Sequence, residues 1–105
     1  MTIAVAAQKK TETAEISMQA GRAPFLLLFD ESGASQSVLK NPFKSGGGGA
    51  GFGVAKMLAD NDVTIFVAGK IGENMRGALE EKHIRWYEME GTVSEALERV
   101  TQGEQ

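Results

Sequence analysis

Two short apolar runs constrain this chain more than any other feature. Phe25-Leu26-Leu27-Leu28-Phe29 is continuously hydrophobic, and Val63-Thr64-Ile65-Phe66-Val67-Ala68 nearly so. A strand with one wet face alternates polar and apolar residues, so runs like these read as strands covered on both faces. Covering both faces of a sheet takes helices, and the residues between and after the runs show helical spacing. The chain is therefore an α/β protein.

Thr2 to Ala7 is rich in small and β-branched residues and reads as a further buried strand. Lys9 to Ala20 is polar and aperiodic, a long loop with room for one helical turn. Gly21 and Pro24 punctuate the chain before the Phe25 run, which stops at the turn cluster Asp30 to Gly33. Gln36 to Asn41 can return antiparallel, and Pro42 closes that hairpin. Val54, Met57, Leu58 and Asn61 then fall at helical spacing, with Asn61-Asp62 as a C-terminal cap. After the Val63 strand, a helix over Glu73 to Lys82 turns Met75, Ala78 and Leu79 inward, and Ile84 to Tyr87 forms a short strand. Thr92 and Glu95 make a capping box for a last helix, with Val93, Ala96, Leu97 and Val100 on one face. The order is β-β-β-α-β-α-β-α. The hairpin implies antiparallel pairing and the strand-helix-strand alternation implies parallel pairing, so the sheet is mixed and five-stranded, flanked by helices.

With 105 residues there is room for a single domain over 1–105, able to bury roughly 65% of its unfolded surface. No apolar run approaches the roughly 20 residues that span a bilayer, so no membrane partner is expected. The basic residues Lys9 and Lys10 follow a short apolar stretch, which reverses the order of a secretory signal, and a cytoplasmic location is the expectation. The net charge is -3, with the acid concentrated after residue 61, which argues against a nucleic-acid partner. There is no cysteine, so a disulfide, a thiolate zinc site and a cysteine-ligated iron-sulfur centre are all excluded.

The most conspicuous local feature is the glycine-rich segment from Phe43 to Gly51. Gly46 and Gly51 have phosphate-loop spacing, but Phe52 and Gly53 stand where that motif needs Lys and Ser or Thr. What remains is a glycine-rich lead into a helix, whose backbone N–H groups can wrap an anion, or a surface loop with no ligand. Arg22, Lys44, Lys70 and Arg76 lie beside glycine turns at strand-helix junctions, where cations and helix N-termini would favour an anionic guest; each can equally be a solvated surface charge. Catalytic groups are scarce. His83, the single histidine, follows a helix and reads as solvated, and no serine sits in a nucleophile elbow. Asp30 stands at a strand end. Among the methionines, Met57 and Met75 lie on inner helical stripes, and Met18 alone is in a loop, where a thioether can bind copper(I) or simply fill space. Trp86, Tyr87 and Phe52 read as packing or as the walls of a pocket.

Four segments resemble a known family in order and spacing: Gly21-Arg22-Ala23-Pro24-Phe25, Gly49-Ala50-Gly51, Val67-Ala68-Gly69-Lys70-Ile71-Gly72-Glu73-Asn74, and Gly91-Thr92-Val93-Ser94-Glu95-Ala96-Leu97. The chain is similar over nearly its whole length to the dinitrogenase iron-molybdenum cofactor biosynthesis family, the NifX type. The resemblance implies a ribonuclease-H-like layered fold without nuclease activity, and the binding or transfer of metal-sulfur clusters that contain molybdenum, with copper or iron. The family commonly has His-Phe where this chain has Gln19-Ala20, so a ligating histidine is absent there.

Without that histidine or any thiol, direct ligation is short of ligands. A thiometallate brings its own sulfides and a negative charge, so cations and backbone amides can hold it. The expected site joins Gln19, Gly21 and Arg22, the glycines 48, 49 and 51, and Lys70, Asn74 and Arg76, with Met18 and His83 as lesser metal candidates. The expected function is non-enzymatic carriage of an anionic metal-sulfur cluster between a donor and an acceptor protein. The alternatives are a metal-free regulatory or scaffold module and an enzyme acting on a phosphorylated small molecule.

Overall fold

The structure, a computed structural model, describes residues 1–43 and 50–102. Five strands form one sheet: β1 (Thr2–Ala7), β2 (Phe25–Asp30), β3 (Ser35–Lys40), β4 (Val63–Ala68) and β5 (Arg85–Glu88). Their order is β3-β2-β1-β4-β5. The pairs β1/β2 and β2/β3 are antiparallel, while β1/β4 and β4/β5 are parallel. The mixed sheet and the element order agree with the sequence reading. Three helices flank it: α1 (Ala50–Asp60), α2 (Glu73–Glu81) and α3 (Val93–Thr101).

Central position explains the composition of β1, all six of whose residues are buried. Ala4 and Ala6 join Leu26, Leu28 and Phe66 on one face, under Val54 and Leu58 of α1 and Met75 and Leu79 of α2. Ile3, Val5 and Ala7 lie on the other, with Leu27, Phe29, Ile65 and Val67, under Val93, Ala96, Leu97 and Val100 of α3. Leu58 and Leu79 are fully buried, and truncating either to Ala costs about 2–5 kcal/mol through lost burial and the cavity left behind. β3, by contrast, is an edge strand exposed along almost its whole length.

The punctuation follows local chemistry. Asp30 Oδ1 accepts from Ser32 N (2.8 Å), Ser32 Oγ (2.6 Å) and Ala34 N (3.1 Å), and closes the β2–β3 turn. Asn61 Nδ2 donates to Met57 O (2.8 Å) and Asp62 takes φ +61°, which ends α1 where a cap was expected. Several boundaries differ by one residue from the sequence reading: β3 runs Ser35–Lys40 rather than Gln36 to Asn41, α2 ends at Glu81, and β5 runs Arg85–Glu88 rather than Ile84 to Tyr87. Ile84 belongs to the helix exit, its N–H donating to Leu79 O (2.9 Å). The 9–20 loop is more ordered than its polarity suggests. It bridges Ala7 through Ile16 and Thr92 through Glu15, and ends in a 3-10 turn, Ala20–Arg22.

Candidate functional site

Parallel pairing brings the carboxyl ends of β1 and β4 to the same end of the sheet, where Phe25 opens β2. The 3-10 turn lies across this end. Its backbone is tied on several sides: Ser17 N donates to Ala6 O (2.8 Å), Gly69 N to Ser17 O (2.8 Å), and Ala20 N to Lys70 O (3.1 Å). Asn41, buried though polar, completes the frame. Its Nδ2 donates to Gly21 O (3.0 Å) and Ala23 O (2.9 Å), and its Oδ1 accepts from Phe43 N (2.9 Å).

Held this way, the turn meets both helix starts. A Cβ on Gly21 would lie 3.3 Å from Gly51 N, and one on Gly51 would lie 3.0 Å from Met75 Cβ. A side chain at either glycine would be crowded, and the turn, α1 and α2 converge on one crevice of about 400 Å³ lined by Gly21, Arg22, Ala50, Gly51 and residues 72–75. Arg22 supplies the positive charge, and one of its guanidinium nitrogens donates to Phe43 O (3.2 Å). Gly72 is the N-cap of α2 and offers no side-chain cap, so the first-turn N–H groups of that helix are left for water or a guest. Glu73 also lines the crevice, an acid that opposes an anion and that the sequence reading did not place there.

The expected site residues divide. Gly21, Arg22, Gly51 and Asn74 line this crevice. Gln19 and Met18 line an adjoining opening that shares Arg22. Lys70 faces a further opening with Met18, Gly69, Glu88 and Arg99. Arg76 lies elsewhere, its guanidinium 5.4 Å from the centre of the Trp86 ring. Gly48 and Gly49, with Lys44, lie outside the described residues. His83 takes φ +59° beyond the far end of α2, in a shallow hollow with Trp86 and Tyr87. Asp30 lies at the opposite end of β2, its carboxyl held below the usual range by the hydrogen bonds of its turn, first that from Ser32 Oγ. Phe52 sits in α1 and is exposed.

Sequence reasoning missed Asn41 and Glu88. Glu88 Oε2 accepts from Ile71 N (2.8 Å) and so fixes the loop entering α2. Neither carries a local signal, because each acts across a distance in sequence. Among the described residues, no three His, Cys, Asp or Glu side chains gather where they could hold a bare metal ion, and no helix is long and apolar enough to cross a membrane.

No curated protein matches the sequence. Among solved structures, the apo form of the orange protein from Desulfovibrio gigas is 25% identical with a TM-score of 0.90, covering 97% of this chain and 88% of that one. A Thermotoga NifB candidate is 22% identical with a TM-score of 0.82, over 97% and 88% of the two chains. A dinitrogenase candidate from Methanocaldococcus jannaschii is 19% identical with a TM-score of 0.67, over 99% and 90%. The last two show likeness of fold alone. The family model described as dinitrogenase iron-molybdenum cofactor matches residues 1–103, and the chain belongs to that family.

Proposed function

We propose that this protein binds an anionic metal-sulfur cluster as cargo and passes it to a recipient protein, without catalysing a reaction. The cluster contains molybdenum, with copper or iron as its second metal. One observation carries the reading: Arg22 and the uncapped start of α2 face the same crevice. Gly72 sharpens it. Its backbone is extended (φ -66°, ψ 158°) and a Cβ there would meet nothing within 4 Å, so neither conformation nor packing asks for glycine. What glycine provides is access to the helix N–H groups. Family membership supports a cluster as the guest, and the lack of cysteine supports a guest that brings its own sulfide. The strand order β3-β2-β1-β4-β5 supports reading the architecture as ribonuclease-H-like.

Charge-assisted contacts contribute about 1.5–3 kcal/mol each, so a few suffice for micromolar binding after association costs. The test is to add tetrathiomolybdate and copper(I) to apo-protein, then measure visible absorbance and metal content after gel filtration. Retained molybdenum, weakened by raising salt from about 50 to 500 mM, is the expected result. Arg22→Ala lowers retention most, because Arg22 lines the crevice, and Lys70→Ala and Arg76→Ala, which do not line it, lower it less. Protein that emerges colourless and metal-free in every reconstitution overturns the proposal.

A further inference from the structure

Glu73 is the discordant residue of the crevice. Of the side chains that line it, Arg22 and Glu73 alone carry charge, one of each sign. Among the described residues the Glu73 carboxylate takes part in no ion pair, so the two charges share the crevice without a direct contact between them. Glu95, in the first turn of α3, is used differently: it folds back to accept from Thr92 N (2.8 Å) and serves its own cap. Glu73 belongs to the first turn of α2, where Arg76 N donates to Gly72 O (2.9 Å) and the amides of residues 73–75 lie ahead of that bond. A carboxylate among them lowers the attraction that those amides and Arg22 offer to any anion.

How much this matters depends on the anion. A compact oxyanion such as sulfate or phosphate is strongly hydrated, and the cost of stripping water from an ion grows as its radius shrinks. It binds where several donors and a net positive charge offset that cost. The crevice lacks such a set. Phe52 and Gly53 stand where a phosphate loop has its Lys and Ser or Thr, and Gly21, Ala50, Gly51 and Met75 line the space without a polar side chain. A larger anion of equal charge, with sulfide in place of oxide, gives up less hydration. Its charge is spread through more of the roughly 400 Å³ available, so one carboxylate opposes it less.

We infer that Glu73 is the selectivity residue of this crevice, turning away compact oxyanions such as sulfate and phosphate while a large anion of diffuse charge is admitted. The inference deepens the cluster reading and rests on it for the admitted guest. The exclusion of sulfate stands apart from that reading and can be measured without it.

Sulfate and tetrathiomolybdate are both tetrahedral dianions, so the pair isolates size and hydration. Each is titrated at constant ionic strength into wild type, Glu73→Gln and Glu73→Asp, with binding located by the amide resonances of Arg22 and residues 72–75. Sulfate affinity is expected to rise at least about tenfold in Glu73→Gln, and tetrathiomolybdate affinity by no more than about threefold. Glu73→Asp is expected to keep the wild-type preference. A role confined to the helix dipole would move the melting temperature of Glu73→Gln and not the ratio of the two affinities. Sulfate affinity unchanged in Glu73→Gln, or both anions tightened by the same factor, overturns the inference. If sulfate gains at these amides in Glu73→Gln while no variant holds tetrathiomolybdate, the exclusion by Glu73 stands and the cluster reading falls.

Discussion

Helices α2 and α3 begin in opposite ways. At the start of α3 the Thr92 side chain accepts from Glu95 N (3.2 Å) while Glu95 Oε1 accepts from Thr92 N (2.8 Å), and Val93 N and Ser94 N donate to Ala14 O (3.0 Å) and Glu12 O (2.9 Å) of the 9–20 loop, so the first turn is fully satisfied. Gly91, with φ +114°, is needed there to turn the chain into the cap. At α2 the N-cap is a glycine that nothing local requires, and the walls around it come from Gly21, Arg22 and Gly51, distant in sequence. The capping box of the closed start is written in four consecutive residues, and the 9–20 loop takes the amides it leaves. An open one must be framed by the rest of the molecule.

The largest effect should come from breaking that frame. Asn41→Ala strands the Gly21 and Ala23 carbonyls, and is expected to lower stability by about 2–3 kcal/mol in urea melts and to abolish thiomolybdate retention. Closing α2 with its own carboxylate is the sharper test. Gly72→Asp has room for its side chain, and is expected to weaken retention about tenfold while raising stability by only about 0.3 kcal/mol. Opening α3 should do the reverse. Thr92→Ala is expected to cost about 1 kcal/mol, seen as a melting point lower by about 5 °C, with retention unchanged.

The smallest effect is acid sensitivity. The hydrogen bonds from Thr92, first its N–H and then its hydroxyl, hold the Glu95 carboxyl below its ordinary value of 4.5. A carboxylate whose folded value is depressed stabilises the fold above its unfolded value and loses that contribution as pH falls through the folded one. Glu95→Gln is therefore expected to show a shallower decline in melting temperature below pH 4.5, with Asp30, also lowered, supplying the remaining slope.

What could be read in advance follows the same division. The capping box and the 93/96/97/100 stripe gave α3 its start and its buried face, and the run Val63–Ala68 is β4 to the residue. The crevice was legible only where it is local: Gly21, Arg22, Gly51 and Asn74 meet there, but Asn41, Glu73 and Glu88 gave no sign of their place. The position of Arg76 could have been foreseen. Two residues beyond Asn74, it lies about 200° around the helix, so the two cannot share a face, and Arg76 instead stacks on Trp86. The bridges of the 9–20 loop had no periodicity to announce them, because backbone pairing over that distance depends on where β1 and Thr92 come to rest.

β1 is enclosed on every side, bonded to neighbours along both edges and roofed above and below, yet it ends at the end of the sheet that the 3-10 turn crosses. Its amide protons should be among the last in the molecule to trade with heavy water, while those opening α2 trade at once. On the function proposed above, cargo would come and go at the tempo of a surface reaction while the interior stays folded.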